Sequence, residues 1–240
     1  MAAAKATVTI TPLVEKTVAV RVVGDSPLIV HAWSEKAKGT LPAGKRALAL
    51  AAGKDKESIS KKKEYETPVE QFMNSLYWVS EKPSEYTEKS FEKALKNGAK
   101  FGVKAESFKA AAISGAYSKK WIPNKKGVQG LFFIEPDFII PDGTDRGTQL
   151  VEIKGCVPEI KEDIVRLSGN GNPSDIRWRP MFTNWYVDLK IKYDIDGLYS
   201  IEDIINMINV GGHYYGVGEW RPEKGGQYGM YHVEAKTKIK

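Results

Sequence analysis

The chain has 240 residues, with 36 basic against 30 acidic side chains, a net charge of +6 and a pI of about 9.1. An apolar share of 42% is ordinary for a globular domain, and no run approaches the roughly 18 apolar residues of a membrane span. The single cysteine, Cys156, excludes an intramolecular disulfide framework, and the opening MAAAKATVTITPLVEK lacks the apolar stretch of an export signal. A soluble protein of the reducing cytoplasm is expected. The basic excess favours a polyanionic partner without requiring one.

Residues 16–23 (KTVAVRVV) alternate, with Val18, Val20 and Val22 on one face, and predict a half-buried strand broken by Gly24, Asp25 and Pro27. Residues 34–66 are rich in Lys, Ala, Gly and Ser without strand periodicity and read as a cationic insertion. Thr67-Pro68-Val69-Glu70 is a helix start, with a Thr cap, Pro at the first helical position and Glu to complete a capping box. A second short helix is expected over residues 87–97, with Phe91, Ala94 and Leu95 inward and Gly98 at its end. A third, over 105–117, carries Phe108, Ala111, Ala112 and Gly115 on one stripe, small enough to sit close against a neighbour.

Three apolar runs follow at 131–134, 138–140 and 150–153. Residues 183–193 then give the clearest strand, with Trp185, Val187, Leu189 and Ile191 pointing one way. Ser200 caps a helix striped by Ile201, Ile204, Ile205 and Ile208, which Gly211-Gly212 ends, and a glycine-rich loop leads to a last strand near 230–236. With insertions set aside, the order is strand, helix, strand, strand, helix, strand, the split βαβ arrangement. The expected fold class is α+β: a single ferredoxin-like βαββαβ domain spanning 1–240. A lysine-rich and helical insertion at 34–100 and a loop-rich insertion at 155–180 decorate it.

Four constellations could carry chemistry. The loop GGHYYGVGEWRPEKGGQYG at 211–229 interleaves glycines with Tyr214, Tyr215, Trp220 and Tyr228 and adds Arg221 and Lys224. Glycines admit a ligand close to the backbone, aromatic rings stack on bases, and Arg serves phosphate or base. The loop lacks the G-x-x-x-x-G-K-[ST] pattern of nucleotide hydrolysis; the bland alternative is a surface hairpin with its aromatics beneath. Arg177-Trp178-Arg179 suits backbone contact combined with stacking, unless Trp178 is core and the arginines pair with carboxylates. His31, in PLIVHAW, could act as a general base but has no partner by spacing. Lys61, Lys62 and Lys63, in the segment 54–63, could clamp a phosphate backbone or simply face solvent. His213 and His232 show no metal-ligand spacing, and no paired-carboxylate or C-x-x-C motif is present, so neither a metal nor a cofactor is expected.

Three segments resemble the RAMP superfamily, in particular the Cas7-like backbone subunits of CRISPR complexes: Gly24–His31, Val103–Ala116 with Ser107-Phe108-Lys109 at its helix start, and the terminal GVGEWRPEKGGQYGMYHVE. Together with RWRPMF and Trp185 they also resemble an uncharacterised group of tailed-phage proteins. The resemblance implies an RRM/RAMP-type fold able to polymerise along single-stranded nucleic acid, with a thumb near 34–66, and a phage-encoded protein of the host cytoplasm. Glu219, Trp220 and Glu223 depart from the simpler, more basic loops of that superfamily.

The expectation is therefore a non-catalytic protein that binds single-stranded DNA or RNA and assembles as an oligomer or filament. Its contacts would be Lys61, Lys62, Lys63, Lys109, Arg177, Arg179, Arg221 and Lys224 for phosphates, with Trp178, Tyr215 and Trp220 for stacking. The alternatives are a phage annealing or recombination protein, an interaction protein whose aromatics form a protein interface, and a metal-independent ribonuclease using His31 or His213.

Overall fold

A computed structural model describes residues 12–32, 66–142, 144, 146–166 and 174–235. The chain is α+β, with four α-helices and three antiparallel sheets among these residues. The lysine-rich call at Lys61, Lys62 and Lys63 lies outside them. None of the described helices is long and apolar enough to cross a membrane.

The central sheet has the order β10 (Tyr231–Val233), β1 (Glu15–Gly24), β9 (Tyr186–Asp194), β4 (Phe132–Glu135), each pair antiparallel. Register follows the alternation of the sequence: Val18, Val20 and Val22 stand opposite Ile191, Leu189 and Val187, and all six are buried. Their shared face packs under α3 (Ala105–Ser118) and α4 (Ile201–Tyr214). Ser200 caps α4, with Asp203 returning a bond to the Ser200 amide. The two helices cross at backbone contact: a Cβ on Gly115 would meet the amide nitrogen of Gly211 at 2.8 Å, and one on Gly211 would meet the carbonyl carbon of Ala111 at 2.6 Å. Trp185 is fully buried beneath Gly24, its indole N–H donating to the Ser26 carbonyl at 2.8 Å.

A second body of core lies beside this sheet. Helices α1 (Pro68–Ser75) and α2 (Glu88–Lys96) each begin with a Thr cap, at Thr67 and Thr87. They clamp an aromatic cluster in which Phe91 meets Phe72 edge-on at 5.0 Å and Trp78 meets Phe101 at 5.0 Å. Phe101 belongs to β3 (Phe101–Lys104), which leads straight into α3 and pairs with β6 (Thr148–Ile153); β5 (Phe138–Ile140) is the third strand of that sheet.

Within the stretch 155–180, expected to be loop-rich, the described residues include two paired strands, β7 (Glu159–Arg166) against β8 (Ser174–Phe182), with β2 (Leu28–Ile29) on the far edge of β8. The hairpin inverts the usual polarity. Its inward face carries Lys161, Asp163 and Arg179, while Ile160, Ile164 and Ile176 on the other face are exposed. Apolar alternation was the strand signal, and here it marks the solvent side.

Candidate nucleic-acid interface

The glycine-rich loop after α4 is tied down along its length. The Val217 amide donates to Gly229 O at 2.9 Å within the loop, while Glu219 N donates to Ile29 O at 2.8 Å and Gly229 N to Pro27 O at 2.8 Å, lacing the loop to residues 27–29. Gly218, at φ +78°, runs so close to that segment that a Cβ would lie 2.3 Å from Ile29 O, so the position excludes every side chain. Laced this way, the loop stands opposite the first turns of α3.

Between them lies an open cleft of about 490 Å³, lined by Lys109, Ala110 and Ser114 of α3, by Lys125, and by Tyr215, Gly218 and Arg221 of the loop. A smaller cleft of about 290 Å³ extends it toward His31, Tyr77 and Lys104; the two share Glu106, Ser107, Gly218 and Arg221. The amino end of α3 faces this trough and has no side-chain cap.

The cations are not equivalent. Arg221 is already committed, donating to Glu223 at 2.8 Å through Nε and to Gly218 O at 2.8 Å through Nη1. Lys125 donates to Ser114 Oγ at 3.0 Å and lies 5.5 Å from the ring centres of both Tyr117 and Tyr215. Lys109 sits 4.1 Å above the Phe133 ring, and burial lowers its pKa. Neither lysine has a carboxylate partner among the described residues. An anion entering the cleft would meet two ammonium groups free of ion pairs beside a phenol ring, with Glu106 and Glu223 also in the lining.

The chain matches no protein-family model and no curated protein.

Of the residues expected from sequence, Lys109, Tyr215 and Arg221 come together at the cleft. Trp220 and Lys224 are exposed on the same loop but do not line it. Arg177, Trp178 and Arg179 belong to β8 and line neither cleft, and the strand's two-residue period sends neighbours to opposite faces. Trp178 turns outward and donates to Glu162 at 3.1 Å. Arg179 turns inward, is only 5% exposed, and has Asp163 at 3.8 Å, with the His31 ring and the Glu219 carboxylate within reach of its charge.

His31 is half-buried. Its Nδ1 lies 3.4 Å from Ser75 Oγ, and the Tyr77 hydroxyl donates to its carbonyl at 3.2 Å. Burial, then the charge of Arg179, lowers its pKa, and burial pushes the Tyr77 phenol up to about 12. No carboxylate bonds the His31 ring among the described residues. His232 instead pairs with Asp25, and His213 stacks edge-on with Tyr214. Among the described residues no three His, Cys, Asp or Glu side chains converge as a metal site.

Sequence reasoning missed Lys125. Its signal was present in residues 118–127 (SKKWIPNKKG), a run of four lysines around a tryptophan with no acid.

Proposed function

We propose that this chain is a non-catalytic single-stranded nucleic-acid-binding protein on a ferredoxin-like core, which assembles side by side along its ligand. The fold reading is supported by the order β10-β1-β9-β4, by α3 falling between the first and second of these strands in sequence, and by α4 falling between the third and fourth. The functional reading is carried by one observation: Lys109 and Lys125 converge on an open cleft beside Tyr215, neither in an ion pair among the described residues, while the cleft's two carboxylates, Glu106 and Glu223, pair with Lys104 and Arg221. Phosphates track such a cationic groove while bases use its rings. The small residues Ala110, Gly216 and Gly218 in its walls let a backbone approach closely.

The test is the salt dependence of binding to a fluorescent single-stranded oligonucleotide, in DNA and RNA versions. Each phosphate contact contributes about 0.7 to the slope of log K against log salt for single strands. The Lys109→Gln/Lys125→Gln variant should therefore lose about 1.4 from the slope, which amounts to about sevenfold less sensitivity between 50 and 200 mM salt. Binding that ignores ionic strength, or a slope the double variant leaves unchanged, sinks the reading.

A second reading, an interaction protein without nucleic acid, is favoured by the exposed Ile160, Ile164 and Ile176 on the outer hairpin face. An oligomer that purifies free of nucleic acid and binds none would select it. Annealing of complementary oligonucleotides would mark the bound strand as a recombination intermediate.

A further inference from the structure

We propose that the ends of α3 and α4, with the turn after α3, form a base-stacking platform: a binding site for the unpaired bases of a strand whose phosphates lie in the cleft. The inference rests on the nucleic-acid reading of the cleft and adds to it a second site with a different chemistry. Tyr117 on the last turn of α3 is 46% exposed, Trp121 in the following turn 46%, and Tyr214 at the end of α4 43%. Three large half-bare rings, borne by the last turns of the two helices and the turn after α3, leave apolar area in water, and unpaired bases would cover it.

This surface is continuous with the cleft. Tyr215 lines the cleft and bonds Ser118 through its hydroxyl at 2.9 Å, and Lys125 bridges the Tyr215 and Tyr117 rings. Lys119 lies 5.0 Å from the Tyr214 ring centre. Tyr117 and Tyr214 thus each have an ammonium group beside the ring, so a base stacked there would have a cation nearby.

Charge selects the class of partner. Residues 107–134 and 204–218, which carry the platform, hold five lysines and no acidic residue, leaving 31 basic against 30 acidic side chains for the rest of the chain, and the adjoining cleft adds Glu106 and Glu223. The surface is therefore matched to a polyanion, and stacking requires bases out of a duplex. The stacking residues are then Tyr117, Trp121 and Tyr214 rather than Trp178, whose indole is bonded to Glu162.

The experiment compares a deoxythymidine oligonucleotide with an abasic oligonucleotide of the same length, each titrated by fluorescence anisotropy. The Tyr117→Ala/Trp121→Ala variant should bind the thymidine strand roughly ten- to a hundredfold more weakly and the abasic strand within about twofold of wild type. Tyr117→Phe/Trp121→Phe should recover most of the loss, since it keeps both rings, and it guards against misfolding as the explanation. Equal losses on both strands, or none on either, overturn the platform while leaving the cleft in place. If the wild-type chain binds neither strand at low salt, the cleft reading falls and takes the platform with it. If the double variant changes the oligomeric state but not the affinity for thymidine strands, the rings are a contact between protein copies and the proposal is wrong.

Discussion

Gly211→Ala tests the crossing of α3 and α4, on which the position of Tyr215 depends. The added methyl would meet the Ala111 carbonyl carbon at 2.6 Å, the Ala112 nitrogen at 2.6 Å and the Ala111 oxygen at 2.7 Å, all of them helix backbone that no rotamer change can clear. Ordinary contacts begin near 3.4 Å, so the helices must part by most of an ångström over a crossing where Gly115 makes the reciprocal approach. Overpacking of this kind costs about 3 kcal/mol at the upper end of its usual range. Alanine in place of a helical glycine returns about 1 kcal/mol of propensity, which leaves a net loss of about 2 kcal/mol. For a chain of this size that is a fall of about 4–8 °C in melting temperature. Urea and thermal unfolding followed by circular dichroism measure it, with Gly130→Ala as a control, since nothing lies within 4 Å of a Cβ there. A Gly211→Ala protein as stable as wild type, or more stable, would refute the close crossing.

Three further outcomes follow from the geometry. Because the folded pKa of His31 lies below its ordinary value of 6.5 through burial and then the Arg179 charge, with Ser75, Tyr77, Glu219 and Arg177 its other neighbours, the unfolded chain takes up the proton first. The stability it contributes is complete above about pH 6.5 and is lost as pH falls below it; urea midpoints at about pH 7.5 and 5.5 should differ less in His31→Gln than in wild type. Arg179→Met should leave oligonucleotide affinity and salt slope unchanged in the folded fraction, because the guanidinium is enclosed; a slope reduced by about 0.7 would mean that it reaches phosphate. Burial, then the charge of Glu159, pushes the Cys156 thiol up to about 11 from 9.0. Its thiolate fraction at about pH 8 is then about a hundredfold below that of a free thiol, so iodoacetamide should label native protein far more slowly than urea-unfolded protein.

The central sheet and its helices were legible because their signals are local. Val18, Val20 and Val22 alternate on the strand that pairs with the Val187–Ile191 alternation, and Thr67 and Ser200 cap the helices they announce. The β7–β8 hairpin was illegible for the converse reason. Lys161, Asp163 and Arg179 face inward and isoleucines face out, so the pattern that identifies a strand's buried face identifies the wrong one. In the Arg177-Trp178-Arg179 constellation the strand period puts the two arginines on one face and Trp178 on the other. At the cleft, Lys109, Tyr215 and Arg221 were visible by type. Lys125 joins them only because Ser118 and Tyr215, 97 residues apart, meet, and no spacing along the chain encodes that contact.

Strand β1 sits between β9 and β10, so the second strand of the chain's main sheet to pair with it comes from residues 231–233. A ribosome must release residues 231–233 before that sheet can close. Until then the Val22–Gly24 stretch has an open edge, and the space filled by the buried Tyr231 ring has no occupant. Such an edge is a template for pairing with another chain, and pairing across so long a loop is slow to find. Premature termination anywhere before residue 231 would therefore yield a chain prone to aggregate, however complete its cleft.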